Sequence, residues 1–323
     1  VSKDDLNNEL VRIAYLLLLG REPESDKAIQ SHLELGSISR VRSAIMSSNE
    51  FQSKLMQSNF KESKWVITEV LEKFEMWIDL HDRYVSYGCL RNDWEPEESE
   101  FFVSRLRAGD VVLDIGANIG WFTLLAAKHI GPAGKVHSFE PRPETVRMLK
   151  RTIAHNNLRS VVQVHEFALS DKAEELLLTW GNNTDNPGNS FLSGIHGSIH
   201  GSQSFRSDYV TTPVMACRLD DLLADIAPDI IKIDVEGAEP MALAGARNAL
   251  VRKRPTILSE LFPLQLKIVS GRTAPEYISQ LEEFGYGCYL LQNGLPTRRL
   301  KDFPNDVKRE LVSVVFEWRG IKG

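Results

Sequence analysis

The sequence predicts an α/β domain, a mostly parallel sheet with helices on both faces, preceded by a small all-α domain. Three observations predict it. Residues 1–60 place their apolar side chains at helical spacing, and no strand signal precedes about residue 84. From there short apolar runs alternate with amphipathic stretches, and charged residues gather just after those runs. Such alternation builds parallel sheets, whose ligands bind in the crevice at the strand carboxyl ends.

In "DDLNNELVRIAYLLLLG", Leu6, Leu10, Ile13 and Leu17 recur at steps of three and four, Asp4 or Asp5 can cap the start, and Gly20 ends the helix. "REPESD" is a turn that caps the next helix, and "SISRVRSAIMSSNEF" repeats the pattern with Ser37 or Ser39 as cap. "KESKWVITEVLEKFEMWIDLHD" reads as a longer amphipathic helix, with Trp65, Val70, Phe74 and Trp77 on one face. The expected organisation is therefore a helical domain over 1–60, a linking helix over 61–83 and an α/β domain over 84–323. In that last region "VVLDIG", "KVHSFE", "VVQVHEFAL", "DIIKIDVE", "TILSELF", "GCYLL" and "LVSVVFEW" read as strands. "PETVRMLKRTIAHNN" and "EPMALAGARNALV" read as helices between them.

Composition narrows the function classes. A net charge of −6 over 323 residues argues against nucleic acid as the main partner. No apolar run approaches a membrane span, and the first residues lack the zones of a signal peptide, so a cytoplasmic location is expected. Cys89, Cys217 and Cys288 are odd in number and far apart, which gives neither a disulfide framework nor a zinc spacing.

The strand ends carry the chemistry. "VVLDIGANIGWFTLLAAK" closes a strand on Asp114, and Gly116 and Gly120 bracket the turn into a helix, letting backbone approach a ligand. The spacing is G-x-x-x-G and not the G-x-G-x-x-G of dinucleotide folds, so a pyrophosphate cradle is disfavoured. The next run ends in Glu140, about twenty residues later, where an acid can accept both hydroxyls of a ribose. A ribose without a pyrophosphate suits S-adenosylmethionine, whose amino and sulfonium groups are cationic.

"DIGANIGWFT", "FEPRPE", "ALSD" and "IIKIDVEGAE" together resemble the FkbM family of class I S-adenosylmethionine-dependent O-methyltransferases, in the expected order across roughly residues 84–318. The resemblance implies a Rossmann-like, seven-stranded sheet whose last strand, "LVSVVFEW", runs antiparallel. It implies Asp114, Gly116, Asn118 and Gly120 around the methionyl part of the cofactor, Glu140 and the adjoining Pro141 at the ribose, and Phe167–Ala168–Leu169 beside the adenine. It places the segment with Trp94 and Glu95 against the methionyl end or the acceptor; otherwise "EPEE" is a plain helix start with Pro96 in its first turn. A weaker resemblance links "YLLLLGREPESD…LELGSISRVRSAIMSSNEF" to a helical module found beside bacterial glycan enzymes. It points by association to a glycan acceptor, and leaves three roles open for the N-terminal helices: binding glycan, pairing with a second copy or docking a glycan-synthesis partner.

O-methylation needs the acceptor oxygen in line with the methyl group and a group to take its proton. Asp234, Glu236 and Glu260 follow neighbouring strands, and either one of them serves as base or the three hold a divalent cation. Lys232 alternates onto the strand face of Asp234, as its ion-pair partner or as a catalytic lysine, whereas Glu239 belongs to the next helix start. The Gly/Ser/Asn-rich stretch 181–206 reads either as a lid that brings Asn189, Ser190 and His196 or His200 to the acceptor, or as a solvated excursion. The competing functions are a nicotinamide-dependent oxidoreductase, which the turn spacing disfavours, and a non-catalytic glycan-binding scaffold, which the retained acids disfavour.

Overall fold

The computed structural model describes residues 6–52, 54, 60, 62–181, 190–193, 209–300 and 311–320. The chain divides into two compact units, Val1–Lys64 with Asp79–Arg83, and Trp65–Ile78 with Tyr84–Gly323.

The first unit packs helices Asn8–Leu19, Asp26–Leu33 and Ile38–Met46 around Val11, Tyr15, Leu19, Ile29, Val41 and Ile45. Side chains of Asn7, Ser25 and Ser37 cap the three starts, and Gly20 closes the first helix at φ 65°. The buried face of the first helix is Val11–Ala14–Tyr15–Leu19, not the expected Leu10–Ile13–Leu17 stripe; Leu17 is 79% exposed. Both stripes are apolar, so spacing does not choose between them. Tyr15 does, standing edge-on to His32 and beneath the Arg21 guanidinium.

The expected linking helix is a β-hairpin, β1 (Trp65–Val70) and β2 (Phe74–Asp79). Phe74, Met76 and Ile78 are buried at a period of two, which is the strand signature that the helical reading overrode. The turn closes with Lys73 N–H on Val70 O, and Leu71 and Glu72 both have positive φ, 55° and 56°. Such turns normally carry Asn or Gly. This one announces nothing in the sequence.

The remaining strands are β3 (Val111–Ile115), β4 (Lys135–Phe139), β5 (Val162–His165), β6 (Ala168–Leu169), β7 (Glu174–Gly181), β8 (Ser190–Ser193), β9 (Tyr209–Cys217), β10 (Ile230–Ile233), β11 (Thr256–Leu261), β12 (Tyr286–Gln292), β13 (Leu295–Leu300) and β14 (Val312–Trp318). The main sheet has the order β13-β12-β14-β11-β10-β3-β4-β5. Strand β10 pairs in parallel with β3 and β11, and β14 runs antiparallel to β11 and β12. The expected seven strands are present with "LVSVVFEW" reversed, and β13 adds an eighth by a hairpin at the edge. This is the Rossmann-like class I methyltransferase arrangement. From β3 the chain winds outward through β4 and β5, then returns to β10 and winds the other way, so β3 and β10 flank the switch point where a ligand crevice opens.

Two expected elements are split. "VVQVHEFAL" divides between β5 of the main sheet and β6 of a second sheet ordered β6-β9-β7-β8. "EPMALAGARNALV" forms helices Glu239–Ala244 and Arg247–Lys253, broken where a Cβ on Gly245 would lie 2.0 Å from Ser170 O. Within the stretch expected as loop, residues 190–193 are strand β8, paired with β7. Ile231 and Ile233 are fully buried between helix layers, so the centre of the sheet is dry. Among the described residues no helix is long and apolar enough to cross a membrane. Among the described residues no disulfide joins Cys89, Cys217 or Cys288.

The hairpin turn supplies a stability test. A left-handed non-glycine residue costs about 1–2 kcal/mol, and a glycine returns about 0.5–1 kcal/mol of that through the freer unfolded chain. Because Glu72 is exposed, Glu72→Gly is expected to raise unfolding stability by about 0.5–1 kcal/mol in a denaturant titration. A loss of stability would show that the turn is not strained.

Candidate active site

At the carboxyl ends of β3, β4, β10 and β11 lies a cavity of about 290 Å³, lined by residues of the second unit. The loop after β3 builds one wall. Gly116, Asn118 and Gly120 have φ of 84°, 48° and 103°, and the N–H groups of Gly116 and Ala117 both donate to Phe139 O. Gly116 has no substitute: a Cβ there would sit 1.8 Å from the carbonyl oxygen of Asp234. Gly120 starts the helix Trp121–Ile130, and a Cβ on it would meet Leu149 Cδ1 at 2.5 Å.

Glu140, just past β4, accepts Asn118 N–H on Oε2 at 3.0 Å and Arg142 N–H on Oε1 at 2.9 Å. It is thereby aimed into the cavity beside Pro141, which also lines it. Burial pushes its carboxyl up to about 7, against the pull of those two amides. Asp114 is 2% exposed and accepts the Thr123 hydroxyl at 2.5 Å, so one of its oxygens braces the turn from beneath. Burial raises it to about 6. Phe167, Ala168 and Leu169 form a further apolar wall with Leu178 and Leu192.

The other end is charged. Lys232 is 2% exposed, with Nζ 3.4 Å from Asp234 Oδ2, 3.7 Å from Glu95 Oε2 and 4.8 Å from the centre of the Phe122 ring. Burial opposes its charge, but Asp234, Glu95, Glu260 and Asp114 outweigh it and hold the ammonium well above its ordinary range. These ion pairs match the reading of Lys232 as a partner of Asp234. Among the described residues the carboxylates close enough to share one ligand are Glu95, Asp234 and Glu260, with ligand atoms all within 4.8 Å. The expected set named Glu236 in place of Glu95. Strand β10 ends at Ile233, and Glu236 lies in the following turn with φ 52°, so a common origin in one run does not bring it to the same point as Asp234.

Glu236 still lines the cavity, 3.5 Å from Gln265 Nε2, and burial with the nearby Asp234 and Glu239 charges pushes it up to about 8. Glu239 stands in the first turn of the helix Glu239–Ala244, as expected, and its side chain also accepts the N–H groups of Val235 and Gly237 at 3.1 and 3.2 Å, bracing the turn before it. Glu260, on β11, is raised by burial and by Asp234.

The segment "WEPEE" starts a helix, and its Trp94 and Glu95 also line the cavity. The helix Pro96–Arg105 starts at Pro96, and Glu95 precedes it with φ 43° and ψ 66° and no side-chain cap. Residues before proline favour extended backbone, and the left-handed region costs about 1–2 kcal/mol. Ser99 fixes this start, its N–H on Glu95 O and its hydroxyl on Trp94 O, while Trp121 Nε1 donates to that hydroxyl. The carboxylate is thus turned into the cavity, where burial raises it to about 7. Ser190 lines the cavity, whereas Asn189, His196 and His200 lie outside the described residues. Sequence reasoning did not name Phe122 or Gln265; nothing in their local pattern distinguishes them from core and surface residues.

Gly116 yields a direct test. Gly116→Ala forces the turn after β3 away from Asp234, and is expected to weaken nucleoside-ligand binding by more than about tenfold, about 1.4 kcal/mol, in calorimetry. Unchanged affinity would remove this turn from the ligand site.

The chain is 31% identical over 165 residues to methyltransferase sdnD of Sordaria araneosa, covering 44% of this chain and 62% of that protein. It is 30% identical over 172 residues to 31-O-demethyl-FK506 methyltransferase FkbM of Streptomyces tacrolimicus, covering 45% and 62%. The chain thus spans under two thirds of the length of these relatives. A solved FkbM methyltransferase of Methylobacillus flagellatus aligns over 97% of this chain and 61% of its own at 16% identity and TM-score 0.39. The sequence profile of the methyltransferase FkbM domain matches residues 114–288, from the aspartate under the glycine turn to β12, and the chain belongs to that family.

Proposed function

We propose that this chain transfers a methyl group from S-adenosylmethionine to a hydroxyl oxygen, with a sugar of a glycan, glycolipid or related glycoside as the acceptor, in the cytoplasm. One observation carries the reading. A single cavity joins a ribose-type acid and glycine turn, Glu140 with Gly116–Gly120, to a cluster of acids at the ends of β10 and β11. S-adenosylmethionine supplies an electrophilic methyl group on a cationic sulfonium.

The residues divide the work. In this reading Glu140 takes the ribose hydroxyls, the turn backbone the methionyl part and Phe167–Leu169 an adenine face, and all of them line the cavity. Glu95, Asp114, Glu140, Asp234, Glu236 and Glu260 line the cavity against one ammonium, Lys232, among the described residues, which favours a cationic ligand. Glu95 and Glu236 line the cavity and are the proton acceptors in this reading, burial having raised their carboxyls to about 7 and about 8. The name of the Streptomyces relative specifies an oxygen as its target. The N-terminal resemblance favours a glycan acceptor. The G-x-x-x-G turn speaks against a dinucleotide and the full acid set against a decayed scaffold.

Isothermal titration with S-adenosylmethionine is expected to show binding in the micromolar range, weakened about tenfold or more by Glu140→Ala. No heat from the wild type would end this reading. Methyl transfer is expected to rise as pH increases through about 7 to 8, since Glu95 and Glu236 accept a proton only once ionised. A profile flat from about pH 6 to about pH 9 would remove them as proton acceptors.

A further inference from the structure

The Glu95–Asp234–Glu260 cluster has the donor chemistry of a hard-cation site, yet a cation of the chain already stands in it. Lys232 leaves the last turn of strand β10 with its ammonium 3.4 Å from Asp234 and 3.7 Å from Glu95. The Phe122 ring closes one side, with its centre 4.8 Å away. Glu95 Oε2 is buried and has no hydrogen-bond partner, and its backbone is left-handed ahead of a proline. That conformation directs the carboxylate away from the helix it begins and towards Lys232. A divalent ion bound among the three carboxylates would face this ammonium at short range, where low dielectric magnifies repulsion.

We propose that Lys232 is a positioning residue whose ammonium is the resident cation of the Glu95–Asp234–Glu260 cluster, standing where a divalent metal ion would otherwise bind. Its attraction holds Glu95, which arrives from a segment ahead of the sheet, across the ends of β10 and β11. Only the consequence for catalysis, methyl transfer without added metal, rests on the methyltransferase reading. The cluster itself is tested by metal binding.

The probe is Mn2+, titrated into the full chain and followed by loss of the free-ion paramagnetic resonance signal. The wild type is expected to bind no tighter than about millimolar, and Lys232→Arg to match it. Lys232→Met, which leaves three carboxylates without their cation, is expected to gain about tenfold or more in Mn2+ affinity. Adding Glu95→Gln to that variant is expected to cancel the gain. Micromolar binding by the wild type that Glu95→Gln removes would overturn the proposal, as would a folded Lys232→Met with no gain. Should Lys232→Met fail to fold, the wild-type and Glu95→Gln titrations decide by the same criterion. A parallel titration with S-adenosylmethionine keeps the two readings apart: its failure refutes the enzyme, and leaves the Mn2+ result standing.

Discussion

A charge taken out of water must be answered by another charge, and Lys232 imposes that constraint at the centre of this fold. It sits on the strand between β3 and β11, where its paired neighbours Asp114 and Leu258 are both buried. Asp234 answers from its own strand end, Glu260 from β11 and Glu95 from the helix start ahead of β3. Each of those carboxylates would be costly if buried alone. The ammonium makes their company tolerable, and together they build the acidic end of the cavity.

The two ends of the cavity are mechanically joined. The carbonyl of Asp234 lies against Gly116 closely enough to exclude any side chain, while Asp234 N–H donates to Ile115 O at 3.0 Å. The turn that would meet a nucleoside and the turn that carries the acids are therefore set by one contact. Glu239 and Gly237 brace the second turn, the latter against the backbone of Gln265, where a Cβ would come within 2.5 Å. A methyl donor and an acceptor have to meet within a fraction of an ångström, and rigid strand ends provide that better than loops.

The strand-end residues were legible because parallel sheets put ligands there: Asp114, Gly116, Gly120, Glu140 and Asp234 all follow apolar runs and all line the cavity. The hairpin was not, since Leu71 and Glu72 adopt a turn that sequence normally marks with Asn or Gly. Grouping Glu236 with Asp234 and Glu260 as strand-end acids missed that the strand stops at Ile233 and that Glu236 sits in the turn beyond it. Glu95 was seen as a candidate but not as a partner of Glu260. Their meeting depends on the sheet order and on a left-handed residue before proline, neither of which a local pattern reveals. The N-terminal helix face was ambiguous for a different reason, because leucines on both stripes satisfy the same period.

The most direct measurement is transfer of labelled methyl from S-adenosylmethionine into glycan extracts of the host, with and without a chelator. The proposed glycan acceptor predicts label in a glycan fraction, and the Lys232-centred site predicts a rate that chelation changes by less than about twofold. Transfer that stops on chelation and returns with added divalent ion would contradict it.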